Sequence, residues 1–225
     1  IQRLRSTAES NRPGGSGVYY HASYWGRPHD YLWLSTTHPT LIREEMTKAY
    51  TMNARNVWVL NVGDIKPAEY DLQLFADMAY DIKPFMESSY SDAHMRQWLA
   101  GIFGIGQAQL LSQILWEYYT LAFERRPEFM GWSQTEPTTQ TKLTGYNHYY
   151  YNDQAQQRIN TYDALQNRVK RLSSSIPNYL KDAYYELIQY PVTGAALMSK
   201  KFIYHDKAVL YASEGRFSAN DYKKL

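Results

Sequence analysis

The sequence predicts a mainly helical protein that opens with one short β-α-β-α segment and continues as an antiparallel helical bundle. Three observations carry this. Residues 17–33, GVYYHASYWGRPHDYLW, and 56–69, NVWVLNVGDIKPAE, each start as an apolar run and end in polar residues around a glycine. Such runs, lacking clean alternation, suit parallel strands covered on both faces. The residues between and after them follow a helical period, and from Ser91 onward only that period remains.

Taken in order, residues 1–16 read as the tail of a preceding element and a loop, closed by Arg12-Pro13-Gly14-Gly15-Ser16. A first strand follows over 18–25, ended by Gly26-Arg27-Pro28. Pro39 suits the first turn of a helix. Ile42, Met46, Ala49 and Tyr50 share one face of it, and Asn53 stops it. The second strand occupies 57–61. A strand, a helix and a strand in this order imply parallel neighbours joined by a right-handed crossover. Pro67 opens the next helix, with Leu72, Phe75, Ala76 and Ala79 toward the sheet.

Beyond this segment, Ser91 is placed as the cap of a helix with the stripe Met95, Trp98, Leu99, Ile102 and Phe103. Gly104 and Gly106 interrupt it. A long helix then carries Leu111, Ile114, Leu115, Tyr118, Ala122 and Phe123 and ends near Arg125-Arg126-Pro127. Residues 128–152 form a long aromatic loop, of the kind that often covers a site. A third helix of this half starts near Asp153 and a fourth at Pro177. Pro191 is read as a break, with a fifth helix over 195–213 and a last one capped by Ser218.

Composition narrows the function. The 225 residues can bury a sizeable core. Lys and Arg number 24 against 22 Asp and Glu, and no basic run stands out, so a nucleic-acid surface is not expected. Without cysteine there is neither a disulfide nor a thiolate metal site. No long apolar run predicts a membrane span. Twenty-two tyrosines and six tryptophans suit sugar stacking, but equally a large aromatic core with a wet rim.

The candidate chemistry lies where the two strands end. Asn61 and Asp64 suit hydrogen bonding to hydroxyls, or, for Asp64, a turn or supporting role. His21 suits donation to an anion or acid–base work, the ordinary roles of an imidazole. A strand histidine is also often a satisfied buried residue. Arg27 and His29 add positive charge for a carboxylate, Arg27 as a bidentate fork; Arg27 also reads as a solvent-facing residue. No zinc-protease, dinucleotide, NTPase or nucleophile-elbow motif is present, and the reading requires no cofactor.

At these same residues the chain resembles glycoside hydrolase family 115, the xylan α-glucuronidases. The resemblance rests on YYHASYWGRPHDYLWL, LNVGDIKPAEYDLQLFADMAYD, RRPEFMGWSQTEPT, YPVTGAALMSKKFIYHDKA and SEGRFSANDY. It implies that residues 1–90 are the last two β/α units of a TIM-type barrel. Residues 91–225 are then a helical bundle, incomplete at its C-terminal end. It implies removal of α-1,2-linked glucuronic acid or its 4-O-methyl ether from xylan with inversion, which needs a carboxylic acid and a carboxylate base on opposite faces of the sugar. Asp30, Asp64 and Glu69 suit that pair poorly, so the resemblance places the catalytic carboxylates outside this chain. It gives His21, Tyr24 and Asn61 a substrate-binding or supporting role, with Arg27 and His29 beside them. The implied partners are xylan or glucuronoxylan oligosaccharides, with no nucleic acid or membrane, and a homodimer of the parent enzyme is one arrangement. The implied location is secreted or periplasmic. The alternative is a non-catalytic helical interaction or carbohydrate-binding module.

Overall fold

The structure, a computed structural model, describes residues 6–23, 33–130 and 142–225. It is mainly helical. Helix α1 (Thr7–Ser10) precedes strand β1 (Val18–His21), helix α2 (Pro39–Thr51), strand β2 (Trp58–Asn61) and helix α3 (Glu69–Tyr80). Helices α4 (Tyr90–Phe103), α5 (Ile105–Glu124) and α6 (Gln154–Ser173) follow. Helix α7 (Lys181–Tyr184) passes through a π turn (Tyr185–Gln189) into α8 (Tyr190–Ser213), and α9 (Ala219–Tyr222) comes last.

The two strands pair in parallel, in the register Val18–Trp58, Tyr19–Val59, Tyr20–Leu60 and His21–Asn61. Parallel pairing needs a crossover, which α2 supplies. The strands are shorter than expected and alternate. Val18, Tyr20, Trp58 and Leu60 pack against the helical core, whereas Tyr19 and Val59 are 61% and 44% exposed. The sheet is therefore covered on one face among the described residues, not on both. Helices α2 and α3 both lie against that covered side, which leaves Tyr19, His21, Val59 and Asn61 together on the other.

The pairing begins at a close approach. A Cβ on Gly17 would lie 2.1 Å from the carbonyl oxygen of Val57, the group that accepts the Val18 N–H at 2.8 Å. Gly17→Ala is thus expected to push the strands apart and to cost about 1–3 kcal/mol, as overpacking does. Gly14→Ala, with nothing within 4 Å of its added carbon, is the control. A urea midpoint lowered for the first and unmoved for the second checks this.

Helix α2 starts as predicted at Pro39, capped by His38, whose Nδ1 accepts from the Thr40 N–H at 3.2 Å. That bond needs a neutral ring, and burial lowers the His38 pKa in the same sense. Ile42, Met46 and Ala49 are buried, and Asn53 takes the left-handed conformation that ends the helix. In α3 the inward stripe is Tyr70, Asp71, Leu74, Phe75 and Met78, while Ala76 and Ala79 are exposed. The expected face was rotated because the larger side chains, not the alanines, claim the core. Helix α4 begins at Tyr90 after Ser89, and Ser91 does not cap it: its buried hydroxyl has no hydrogen-bond partner.

One core cluster runs from Leu34 and Ile42 through α3, α4, α5 and α6 to Ala196. A smaller one joins Met130, Ala155, Ile159, Phe202 and Ile203. The described end of the long loop is tied to α8. Thr144 donates its N–H to Asp206, at 3.0 Å to Oδ2, and the Tyr149 hydroxyl donates to Glu214. Tyr151, Asn152 and Asp153 all have positive φ, and Asp153 then caps α6 by accepting the Gln156 N–H at 2.9 Å.

Pro191 does not break the last long helix. A proline ring collides with the carbonyl four residues earlier and lacks the N–H that would bond to it. The π turn just before it carries an extra residue per turn, which moves that carbonyl out of the way. The helix therefore continues through Pro191 with Val192, Ala195, Ala196 and Ser199 buried.

Candidate active site

The C-terminal ends of parallel strands are where loops converge, and there His21 and Asn61 are direct register partners. On the open face the Tyr19 and His21 rings meet edge to face, with centroids 4.7 Å apart. Asn61 is held from both sides. Its Nδ2 donates to the Tyr19 hydroxyl at 2.8 Å, and its Oδ1 accepts the Gly63 N–H at 3.1 Å. Beyond the strands, the Ala22 N–H donates to the Asn61 carbonyl at 2.9 Å, and the Ser23 hydroxyl donates to the Val62 carbonyl. These bonds lock the strand ends together and fix where both side chains start.

The segment leading to α2 anchors this end to the helices. Thr37 Oγ1 donates to the Ala22 carbonyl at 2.6 Å, and Thr36 Oγ1 to Glu128 at 2.6 Å. Ser35 Oγ donates to Asp71 Oδ2 at 2.9 Å, while the Ser35 carbonyl accepts the Tyr118 hydroxyl at 2.6 Å. All three side chains are buried. A hydrogen-bonded line thus runs from the strand mouth to α3, α5 and the turn after α5. Asp71, 1% exposed, has its carboxyl pushed up to about 7, mainly by burial.

Of the residues predicted to form a site, the structure brings His21 and Asn61 together. Asp64 is exposed in the turn after β2. Tyr24, Arg27 and His29, like Asp30, lie outside the described residues. Tyr19 was missed, because a tyrosine in the middle of an apolar run reads as core. Only strict alternation of the run would have placed it beside His21. Glu69 has its carboxyl pushed up by burial, opposed by its own backbone N–H and reinforced by Glu186. Glu186 in turn pairs with Lys66 at 2.5 Å. No local signal predicts that meeting, since Glu186 comes from the π turn far along the chain. Among the described residues no group of three or more acidic or histidine side chains is arranged to hold a metal ion. None of the described helices is long and apolar enough to cross a membrane.

The profile of glycosyl hydrolase family 115 matches residues 1–129. The chain belongs to this family. Its fold is similar to a solved family 115 4-O-methyl-alpha-glucuronidase, BtGH115A, described as specific for decorated arabinogalactans. The two superpose with a TM-score of 0.80 at 40% sequence identity, over 91% of this chain and 27% of that one. This family 115 chain thus spans about a quarter of the solved relative's length. No curated protein matches it.

Proposed function

We propose that the chain is part of an α-glucuronidase that removes glucuronic acid, or its 4-O-methyl ether, from plant polysaccharide side chains by inverting hydrolysis. The likeness to a solved 4-O-methyl-alpha-glucuronidase at 40% identity carries this reading. In it, residues 1–90 supply the last two β/α units of a (β/α)8 barrel and 91–225 an antiparallel bundle. His21 and Asn61 line the barrel mouth with Tyr24, Arg27 and His29, and Asp64 supports the turn. The open face of Tyr19, His21, Val59 and Asn61 is what a barrel turns inward. It carries no carboxylate, so the general acid and base come from other strands. The parent enzyme works as a secreted or periplasmic protein and forms a homodimer.

Glucuronoxylan is the first candidate substrate. A decorated arabinogalactan is the second, favoured by the specificity ascribed to the solved relative. The test incubates the full-length protein with each polysaccharide and follows the released acid by proton NMR. The expected first product is the β-anomer from an α linkage, while the isolated chain releases nothing. No release from either polysaccharide would overturn the reading, and an α-anomer as first product would overturn inversion.

A further inference from the structure

We infer that a second carbohydrate subsite lies beside the π turn and binds a neutral pyranose of the polysaccharide main chain. The inference rests on the glycosidase reading for its ligand and on independent geometry for its place. A cleft of about 380 Å3 is walled by Trp33, Tyr185 and Tyr190. Trp33 and Tyr190 have ring centroids 6.4 Å apart, inclined at 67°, and Tyr185 and Tyr190 are 6.1 Å apart at 48°. Trp33 is 39% and Tyr185 55% exposed. Gln189 and Thr193 add an amide and a hydroxyl. Gly194 forms the floor, where a Cβ would lie 2.9 Å from the Trp33 ring.

The chemistry selects the ligand. Sugar rings present faces of C–H bonds that rest on aromatic rings, and rims of hydroxyls that pair with amides and hydroxyls. Among the described residues the cleft's lining contains no charged side chain. Nothing there compensates the charge of a uronate, a phosphate or an acidic peptide, so the ligand is a neutral sugar rather than the glucuronic acid itself. The π turn matters to this shape, because it is the segment that carries Tyr185 and Gln189 just ahead of Tyr190.

The place selects the main chain. Trp33 precedes Thr37, which bonds to the Ala22 carbonyl beside His21. Four Cα steps of 3.8 Å put Trp33 at most about 15 Å from Thr37. On the other strand, Lys66 in the loop after β2 pairs with Glu186, next to Tyr185. The segment after β1 thus supplies a wall of this cleft, and the loop after β2 is tied to the π turn one residue from Tyr185, which puts the cleft within the span of a few linked sugars from the strand ends.

Affinity gels cast with glucuronoxylan or arabinogalactan test this on the full-length protein. Tyr185→Ala should weaken retention about fivefold, the scale of one lost aromatic contact, and raise KM for polymer at constant kcat. Tyr185→Phe, which keeps the ring, should restore both. Tyr80→Ala, an exposed aromatic elsewhere, is the control for lost surface area. Tyr185→Ala retained as strongly as wild type on both gels overturns the proposal, and so does a loss on Tyr185→Phe equal to that on Tyr185→Ala. Turnover of a glucuronosyl disaccharide by the wild type reports the strand-end site separately. If it is absent while retention still depends on the Tyr185 ring, the glucuronidase reading falls and the subsite stands.

Discussion

Replacing His21 with alanine in the full-length enzyme lowers kcat/KM on a glucuronic acid substrate about 10- to 150-fold. Parallel strands lie about 4.8 Å apart, and His21 sits directly opposite Asn61 in the ladder. Both side chains issue from the uncovered face, so both can meet one ligand. A charge-assisted hydrogen bond from the imidazole to the sugar carboxylate contributes roughly 1.5–3 kcal/mol, and 1.4 kcal/mol is tenfold. The structural cost is small by comparison. The Tyr19 ring touches His21 edge to face, and losing such a contact costs about 0.5–1.5 kcal/mol. Asn61 keeps its bonds to Tyr19 and Gly63 in the variant. The loss should fall mainly on the acid and much less on a neutral analogue of the same sugar. Specificity constants for both substrates, with the melting temperature, check this. Equal losses on the two would end the carboxylate-binding role.

The second large effect belongs to Asp71 and depends on pH. Its carboxyl is buried, accepts from Ser35 through Oδ2, and leaves Oδ1 without a hydrogen-bond partner. Burial holds its proton up to about 7, against the pull of Ser35 and Arg126. Below about pH 4 the group is protonated in both folded and unfolded chains and contributes nothing. Between about 4 and 7 the unfolded chain has released the proton while the folded one keeps it, so stability falls as pH rises. Above 7 the full penalty is present, about 4 kcal/mol at 1.36 kcal/mol per pH unit. Asp71→Asn removes that penalty, but it turns a donor toward groups arranged around a carboxyl, at about 1–3 kcal/mol. The variant should therefore melt slightly below wild type at pH 5. At pH 8 a net gain of about 2 kcal/mol should raise its melting temperature by about 4–8 °C. Parallel curves for the two proteins between pH 5 and 8 would show that Asp71 does not titrate in this window.

The parallel strand pair, the starts of α2 and α6 and the core positions of α5 except Phe123, which is 57% exposed near the helix end, follow from local signals: an apolar run, a proline at a first turn, a side-chain cap, a 3.6-residue stripe. What escaped sequence reasoning was set by distant partners. The stripe of α3 turned toward Leu74 and Met78 because the volume to be filled lay there, and the run Val18–His21 left Tyr19 exposed because helices cover only one side of the sheet. The buried line from Ser35, Thr36 and Thr37 to Asp71, Glu128 and Tyr118 joins segments far apart in the chain. Three consecutive small polar residues read locally as a loop. In the candidate site, His21 and Asn61 were visible as polar residues closing apolar runs, whereas Glu186 beside Glu69 depends on where the last long helix passes.

By sequence alone Pro191 marks a stop, because a proline within an α-helical pattern normally is one. The π turn overrides that, and it also fixes a phase. An α-helix advances about 100° per residue, so the single surplus residue held between Tyr185 and Gln189 rotates everything after it by that angle. Tyr184 and Ile188 up to the turn, and Val192, Ala195, Ser199, Phe202 and Ile203 after it, are all buried. The turn acts as a frame correction in the helix. A chain shortened by one residue there would keep its composition and its hydrophobic pattern after Pro191. The π turn would close to a regular α-helical turn, which returns the proline ring to the carbonyl it now avoids. Length across these five positions is thus constrained by the proline that follows them.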